Sequence, residues 1–359
     1  MPEGEYVQVS DLDTSKISNI LVRGTNWIGD AVMNTPALGA IRQSFPQARI
    51  TILVTPLVAQ LFSPHDWVGE VMVYDRQGRH KGVAGRFRIA SELRARRFDL
   101  AILLQNAIDA AVITRLAGIP RRMGTRTDGR GFLLTHGFAQ KVLGERVHHV
   151  DYYLEMLRSF GITGKEKRQL LCLTEAEREA ARERLSAAGI APGDFLIGIN
   201  PGAAYGSAKR WYPERFAAAG AELAQKWQAK LLILGGPTEV AIAGDIEAAL
   251  KGRCLNLGGK LTVRELMALI ERCNFFISND SGPMHIAAAF RVPLVAVFGS
   301  TDHRTTYPFS DNSVVVRKDI ECAPCLKREC PTDHRCMTGV SAEDVVAAAE
   351  KLRAESDRG

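Results

Sequence analysis

Long apolar runs are missing from this sequence of 359 residues. No stretch of 18 or more consecutive apolar residues occurs, which argues against a membrane-spanning helix. The first 19 residues are polar and mixed in charge, and they lack the apolar segment of a secretory signal peptide. We therefore interpret them as a partly disordered tail of a cytoplasmic protein. The contents of 46% hydrophobic and 24% charged residues are typical of a folded chain, and the length allows about two domains.

Aromatic residues are scarce, at 7%, and no nucleic-acid-binding module accompanies the basic clusters of the chain. The net charge of +6 is unevenly distributed. Eight Lys or Arg and one Glu lie between Arg76 and Arg97, and five Arg and one Asp lie between Arg115 and Arg130. Solvated helix faces explain many such clusters, and the alternative is an anionic small molecule or lipid as a partner. We predict no nucleic-acid partner.

A disulfide framework is not indicated, because seven cysteines are an odd number in a chain without an export signal. Cys322, Cys325, Cys330 and Cys336 are concentrated within 15 residues, with the spacing C-x2-C-x4-C-x5-C. This spacing is cramped for a tetrahedral zinc site and differs from the common iron–sulfur spacings. Reduced thiols and a structural metal, with His334 as an additional ligand, both remain open. A catalytic metal is the interpretation that the pattern favours least.

Apolar runs alternate with amphipathic segments over most of the chain, which predicts βαβ units and a mainly parallel sheet. The runs are almost continuously hydrophobic, as in strands that are buried on both faces. The predicted strands are NILVRG, ITILVTP, EVMVYD and FDLAILLQN in the first half, and FLIGINPG, AKLLILGG, NFFISND and PLVAVFGS in the second. Helices are predicted near 31–42, 58–62, 83–96, 107–117, 213–227, 240–250, 263–271, 283–290 and 342–353.

The alternation is interrupted once, in the charged segment 165–192. Within it, LTEAE is typical of a capped helix start and Gly189 of a helix stop. We therefore predict an α/β fold with two doubly wound, Rossmann-like domains, residues 1–172 and 173–340. A last helix within 341–359 closes the chain and can pack back on the N-terminal domain. Two such domains that face each other form a cleft, and ligands of these sheets bind at the carboxyl ends of the strands.

The first polar loop at a predicted strand end is NWIGDA, which follows NILVRG. A carboxylate in this position repels a phosphate, so Asp30 argues against phosphate binding by this turn. Asp30 is interpreted either as a helix cap or as a general base that takes a proton from an incoming hydroxyl. Gly29 allows a substrate to approach the backbone closely.

The second loop is NPGAAYGSAKRWYPERF, between a predicted strand and a helix that starts near Pro213. The small residues at Gly202 and Ala203 leave backbone amides accessible to a ligand. Lys209 lies just beyond them and can reach a phosphate as a point charge. The alternative is an ordinary turn with a surface lysine.

The third loop is SNDSGPMHIAAAF, in which a strand ends and a helix begins. The amides at Ser281, Gly282 and Met284 can bind a diphosphate with the helix dipole behind them. Asp280 can accept hydrogen bonds from sugar hydroxyls. His285 lies one turn into the helix, and a single histidine in such a place is more often structural than catalytic.

The fourth loop is LLILGGPTEV, which ends in a Gly-Gly-Pro turn. Glu239 opens the following helix and suits a bidentate bond to ribose hydroxyls. Glutamate is also favoured in a first helical turn by the helix dipole alone, so this signal is weaker than the third loop.

Three of these motifs together resemble the bacterial ADP-heptose:lipopolysaccharide heptosyltransferases. They are LVRGTNWIGDAVMNTPAL, INPGAAYGSAKRWYPERF and ISNDSGPMHIAAAFRVPLVAVFGST, and the similarity extends from about residue 19 to residue 353. The form NWIGD and the segment CAPCLKRECPTDHRCM are more similar to the heptosyltransferase II branch than to the heptosyltransferase I branch.

The resemblance implies a GT-B glycosyltransferase that is inverting and requires no metal or other cofactor. Such an enzyme transfers a heptose from ADP-heptose to the inner core of lipid A-linked oligosaccharide, here the second heptose onto heptosyl-Kdo2-lipid A. It implies an acceptor-binding N-terminal domain with Asp30 as the base, and a nucleotide-sugar-binding C-terminal domain with Lys209 at the phosphates. The other donor contacts it implies are Asp280, Ser281, Gly282 and His285, Glu239 at the ribose and the Leu261 backbone at the adenine. The sequence departs from related members at 203–204, where alanines replace hydroxyl side chains.

The acceptor is strongly anionic and is anchored in a membrane, so we expect peripheral contact with the inner face of the inner membrane. The loop GIPRRMGTRTDGRG is the predicted acceptor loop, with Arg121 and Arg122 as its main contacts beside Asn26 and Gly29. Three alternatives remain open: a GT-B transferase for another ADP- or UDP-sugar, a non-hydrolysing sugar-nucleotide epimerase, and an inactive nucleotide-sugar-binding protein. The basic first half favours a transferase over the epimerase.

Overall fold

The computed structural model describes residues 16–139 and 146–356 and divides into two compact units, Met1–Cys172 and Leu173–Gly359. In the described part, each unit contains a six-stranded parallel sheet with helices packed around it. None of the helices in these ranges has the length and the apolar content to span a bilayer. Most of the tail predicted for the first 19 residues lies outside the described residues.

The first unit has the strand order β3-β2-β1-β4-β5-β6. Its strands are β1 Asn19–Arg23, β2 Arg49–Val54, β3 Glu70–Val73, β4 Leu100–Leu103, β5 Arg121–Thr125 and β6 His136–Phe138. Its helices are α1 Ile28–Met33, α2 Thr35–Ser44, α3 Pro56–Ala59, α4 Gly82–Ala95, α5 Ile108–Leu116 and α6 His149–Arg158.

The second unit has the strand order β12-β11-β10-β7-β8-β9. Its strands are β7 Leu196–Asn200, β8 Lys230–Ile233, β9 Leu255–Asn256, β10 Phe275–Asn279, β11 Leu294–Val297 and β12 Ser313–Val316. Its helices are α7 Glu175–Ala187, α8 Pro213–Trp227, α9 Val240–Ala249, α10 Val263–Arg272, α11 Gly282–Ala289, α12 His303–Thr306, α13 Arg335–Thr338 and α14 Ala342–Ser356.

The helix predicted near 31–42 is two helices in the structure, because the chain is interrupted between α1 and α2. Pro36 has no N–H to donate and its ring crowds the preceding turn, so a continuous helix is unfavourable there. The Thr35 hydroxyl donates to the Val32 carbonyl over 2.8 Å and replaces one of the backbone hydrogen bonds that the interruption removes. The interruption keeps α1 short, with Asp30 in its first turn.

The ends of α7 follow the local sequence rules. Thr174 and Glu177 form a reciprocal capping box, in which each side chain accepts a hydrogen bond from the other residue's backbone N–H. Gly189 follows the helix with a φ of +77°, a left-handed conformation that favours glycine.

The C-terminal helix α14 differs from the expectation that it packs on the N-terminal domain. Its apolar residues Val345, Val346, Ala349 and Leu352 are buried in the core of the second unit. That core also contains the inner faces of β7 and α8, including Ile197, Phe216 and Leu223.

Candidate active site

Asp30 lies just beyond the carboxyl end of β1, in the first turn of α1. The helix N-cap is Trp27, which has an extended backbone and no side-chain cap, so Asp30 does not act as the cap itself. The Asp30 side chain is 32% exposed. A carboxylate in this position can be reached by a hydroxyl group from solvent, as a general base requires.

Two side chains of α6 lie close to Asp30. The Nδ1 atom of His149 is 3.7 Å from Oδ1 of Asp30, which forms an ion pair when the imidazole is protonated. Burial, and next the charge of Asp30, raise the pKa of Tyr153 well above its ordinary value, so its phenol stays protonated at neutral pH. Neither residue is among the predicted site residues, because α6 was not predicted.

A buried arginine at the end of β1 holds the turn that carries Asp30. Arg23 donates to the side-chain oxygen of Asn26 over 2.8 Å and to the carbonyl oxygens of Leu53 and Gly24. Burial lowers the pKa of Arg23 to about 10, and the group remains a cation at neutral pH. Asn26, a predicted acceptor contact, therefore uses its amide oxygen to hold the turn.

Arg121 and Arg122, the predicted acceptor contacts, do not lie at the edge of the sheet that carries Asp30. They begin β5, and the parallel register aligns Arg121 with Leu100 and Leu100 with Ile20. They therefore lie at the amino edge of the sheet, whereas Asp30 follows its carboxyl edge. The guanidinium of Arg122 donates to the carbonyls of Leu133, Ile119 and Pro120, and burial lowers its pKa.

The carboxyl end of β5 carries two arginines of the same cluster that the sequence analysis did not single out. Arg126 is exposed, directly after β5. Arg130 is buried, and its Nη2 atom donates to the Thr125 hydroxyl over 2.8 Å and to the Asn106 side-chain oxygen over 3.2 Å. Asn106 in turn donates to the Tyr152 hydroxyl over 3.0 Å. These contacts form a rigid polar network at the same edge of the sheet as Asp30.

In the second unit, Lys209 and Asp280 form a buried ion pair. The Lys209 Nζ atom is 2.5 Å from Oδ2 of Asp280, and the two side chains are 13% and 4% exposed. The Thr301 hydroxyl donates to the same oxygen over 2.6 Å. Since these residues follow β7, β10 and β11, three neighbouring strands bring one ammonium group and one carboxylate to the same edge of the sheet.

The start of α11 is held by side chains of the neighbouring strand end. Ser281 is the N-cap residue, and its hydroxyl donates to the Asn200 side-chain oxygen over 3.0 Å instead of capping the helix. The first-turn amides of α11, beginning at Gly282, therefore receive no hydrogen bond acceptor from the N-cap side chain and can donate to another group. His285 is buried within the helix.

Glu239 and Gly202 are in direct contact where β7 and β8 end. A Cβ atom at Gly202 would overlap the Glu239 carboxylate, which accepts a hydrogen bond from the Gly236 backbone N–H. Ala203 is buried beside Gly202, and Leu261 lies partly buried in the connection from β9 to α10. The donor-binding residues predicted from the sequence thus all lie beyond the carboxyl ends of the second sheet.

The cysteine-bearing segment 320–340 packs against the loop that carries Lys209. The Ala208 N–H donates to the Arg328 carbonyl over 3.0 Å, and the Tyr205 hydroxyl donates to the Leu326 carbonyl over 2.8 Å. His334 contacts Ala208 through Nε2 at 3.0 Å and the Tyr212 hydroxyl through Nδ1 at 3.2 Å, so both ring nitrogens are engaged. Within residues 16–139 and 146–356, no three His, Cys, Asp or Glu side chains are grouped so as to hold a metal ion.

Comparison with known proteins assigns the family. The family model described as glycosyltransferase family 9 (heptosyltransferase) matches residues 86–335. The chain belongs to glycosyltransferase family 9. The resemblance found in the sequence motifs is thereby confirmed, and so is the α/β fold of the GT-B class.

Individual relatives of this family 9 chain are heptosyltransferases. It is 30% identical to lipopolysaccharide heptosyltransferase 2 of Salmonella typhimurium, over 83% of this chain and 87% of that protein. It is 29% identical to lipooligosaccharide heptosyltransferase 2 of Campylobacter jejuni, over 93% of this chain and 98% of that protein. The structure of Escherichia coli ADP-heptose lps heptosyltransferase II superposes with a TM-score of 0.80 at 25% identity, covering 94% of this chain and 99% of that one.

The contact of Gly202 with Glu239 in the family 9 enzyme gives a stability prediction. We expect Gly202→Ala to lower the free energy of unfolding by about 1–3 kcal/mol, because the added methyl group displaces the buried carboxylate. Gly244→Ala is the matched control, since a Cβ atom there meets no atom within 4 Å and the residue lies inside α9. The control should be stabilised by about 0.5–1 kcal/mol. Urea unfolding of the three proteins measures both changes, and equal stability of the two variants would contradict the contact.

Proposed function

We propose that this family 9 enzyme is an inverting, metal-independent transferase that moves a heptose from ADP-heptose to the inner core of lipopolysaccharide. The acceptor we propose is heptosyl-Kdo2-lipid A, so that the product carries a second heptose. The observation that carries the proposal is the pairing of Lys209 with Asp280 beside the start of α11. Lys209 is the cation, and the start of α11 provides the backbone amides, that an ADP leaving group needs.

The second unit supplies the donor site in this proposal. The departing diphosphate gains negative charge, and Lys209 together with the first-turn amides of α11 stabilises that charge in place of a metal ion. Lys209 and Thr301 both bond Oδ2 of Asp280, and we propose that Oδ1 accepts from a hydroxyl of the donor sugar. Glu239 binds the ribose hydroxyls, and the backbone at Leu261 reads the adenine edge.

The first unit supplies the acceptor site and the base. An inverting transfer is a single displacement in which the acceptor hydroxyl loses its proton as it attacks the anomeric carbon. Asp30 takes that proton, with the neutral Tyr153 phenol near it and His149 at 3.7 Å, which forms an ion pair with the carboxylate when protonated. The proposed acceptor is membrane-anchored and anionic, so we place the enzyme in the cytoplasm with peripheral contact to the inner membrane.

The alternatives left open by the sequence differ in their products. An epimerase converts the nucleotide sugar without an acceptor, and an inactive binding protein forms no product. We expect the purified protein, mixed with ADP-heptose and a truncated lipopolysaccharide, to add one heptose to the acceptor, as measured by mass spectrometry. Transfer from a UDP-sugar or another ADP-sugar in preference to ADP-heptose would contradict the proposed donor.

The position of the arginines at the two edges of the first sheet gives a prediction about acceptor binding. We expect Arg126→Ala to raise the acceptor KM about fivefold to tenfold, because it removes an exposed cation at the edge that carries Asp30. Arg121→Ala is the matched control and should leave the acceptor KM unchanged, because Arg121 lies at the opposite edge. Steady-state kinetics with varied acceptor measure both effects, and a larger KM change for Arg121→Ala would restore the original assignment.

A further inference from the structure

Among residues 16–139 and 146–172, the large apolar side chains that are exposed are concentrated at one edge of the sheet of the first unit. Each lies at the carboxyl end of a strand or in the connection or helix that follows it. These side chains are Trp27, Leu57, Val73, Val83, Phe87, Ile108 and Phe132. Large apolar side chains are costly to expose in such numbers on one face, so this edge is a candidate interaction surface.

The first two turns of α4 present the clearest part of this surface. Val83 and Phe87 are 65% and 59% exposed and lie one helical turn apart, so they share one face. The opposite face of α4 is buried, with Ile89 and Leu93 in the core of the unit and Gly85 against the backbone of His80. The outward pair therefore contributes nothing to the core of the unit.

A third exposed apolar side chain lies on α5, the helix to which α4 is tied by an ion pair. The Arg86 Nε atom donates to Oδ1 of Asp109 over 2.6 Å, which ties the second turn of α4 to the first turn of α5. Ile108, the residue before Asp109, is 44% exposed. The ion pair thus joins the apolar ends of two helices into one surface.

Basic residues surround these apolar side chains. Lys81 directly precedes α4, and Arg88 follows Phe87; both are exposed. Arg76 and Arg79 lie in the loop before them, and Arg79 is partly neutralised by Glu92 at 2.6 Å. We define the docking surface as Lys81, Val83, Phe87, Arg88 and Ile108. An apolar patch edged with lysine and arginine is complementary to an anionic lipid surface, in which apolar side chains insert and cations meet the phosphates.

The docking surface lies at the edge of the sheet that also carries Asp30. In the first sheet, β4 is adjacent to β1 and β3 is two strands from β1 on the other side. The connection to Ile108 therefore leaves the sheet one strand from the connection to Asp30, and the connection to Val83 leaves it two strands away. These lateral separations are roughly 5 Å and roughly 10 Å. An acceptor whose sugars project only a short distance from a bilayer requires the base and the membrane-binding surface to share one edge.

We propose that the docking surface binds the enzyme to an anionic lipid bilayer, with Val83, Phe87 and Ile108 inserted below the headgroups and Lys81 and Arg88 at the lipid phosphates. This inference rests on the proposed function, because only a membrane-anchored acceptor requires it.

Vesicle co-sedimentation of the full chain tests the proposal. We expect the wild-type protein to bind vesicles of phosphatidylcholine mixed with phosphatidylglycerol, and to bind pure phosphatidylcholine vesicles more weakly. The double variant Val83→Ser/Phe87→Ser should bind the anionic vesicles at least about tenfold more weakly, because it removes the inserted side chains. Lys81→Gln should weaken binding about fivefold and reduce its salt dependence.

The double variant Val240→Ser/Leu326→Ser is the matched control, since both side chains are exposed but lie in the second unit. It should bind the vesicles like the wild type. Wild-type protein that stays in the supernatant, or a Val83→Ser/Phe87→Ser variant that binds like the wild type, would overturn the docking surface. Equal binding to neutral and anionic vesicles would overturn its electrostatic part.

A second measurement separates this inference from the proposed function. Transfer of heptose to a deacylated, water-soluble acceptor should proceed at the wild-type rate in Val83→Ser/Phe87→Ser. If no protein transfers heptose to that acceptor while the vesicle results are as expected, the proposed function fails and the membrane-binding role of the surface stands.

Discussion

Asp30→Asn is expected to lower kcat for heptose transfer by about 10²–10⁴-fold and to leave the affinity for ADP within about twofold of the wild type. Asparagine keeps the size of the side chain but cannot take a proton from the acceptor hydroxyl. Asp30 belongs to the first unit, and the proposed ADP contacts belong to the second, so the substitution removes chemistry without removing donor contacts. Steady-state kinetics and calorimetric titration with ADP measure the two quantities.

The control for this variant is Asp66→Asn, which makes the same change at an exposed aspartate of the same unit. It should have wild-type turnover. Comparable turnover in Asp30→Asn and the wild type would exclude Asp30 as the base. A parallel loss of ADP affinity in Asp30→Asn would instead show that the carboxylate belongs to the donor site.

Lys209→Ala is expected to weaken ADP binding by about 10–100-fold, because a charge-assisted contact to the diphosphate is lost. We also expect kcat to fall by about 10²–10³-fold, since the ammonium stabilises charge that develops on the leaving group. The variant also leaves Asp280 buried with only the Thr301 hydroxyl as a described hydrogen-bond donor, which lowers the free energy of unfolding. Calorimetric titration, kinetics and urea unfolding measure the three effects.

A second substitution separates the structural effect of Lys209 from its binding effect. Lys209→Ala/Asp280→Asn removes the uncompensated buried carboxylate, so we expect it to recover most of the lost stability without recovering ADP affinity. Lys230→Ala is the matched control, because Lys230 is exposed at the amino end of β8, away from the carboxyl edge. Wild-type ADP affinity in the stabilised double variant would exclude a phosphate role for Lys209.

The sequence was sufficient to predict most of the two sheets because their central strands are almost continuously apolar. The run from Leu196 to Ile199 and the run from Phe275 to Ile277 are fully buried, and their hydrophobicity alone marks them as inner strands. The strands that were not predicted are β5, β6, β9 and β12. β5 begins with two arginines, and β6, β9 and β12 have three, two and four residues, so none of them has a long apolar pattern.

The candidate site was predicted where its residues follow a strand directly. Lys209 and Asp280 are 71 positions apart, and their pairing was not predicted, although each had been assigned to the donor loops. The order of the strands in the sheet brings the two residues together, and the local sequence pattern of each strand does not reveal that order. The same reason explains why His149 and Tyr153 were missed beside Asp30.

In the arginine cluster, residues that are close in the sequence lie at opposite edges of the sheet. Arg121, Arg122, Arg126 and Arg130 are close in the sequence and were treated as one acceptor loop. A strand of five residues runs through them, so that the first pair lies at one edge of the sheet and the second pair at the other. Charge clustering in the sequence therefore does not show which of these arginines lie at the edge that carries Asp30.

In the proposed mechanism the donor nucleotide is held by the second unit alone, and a crystal soaked with ADP provides the sharpest test. We expect electron density for the diphosphate against Lys209 Nζ and the first-turn amides of α11, with the ribose at Glu239. Density for ADP on the turn between Asn26 and Ala31 instead would contradict the assignment of donor and base to their units.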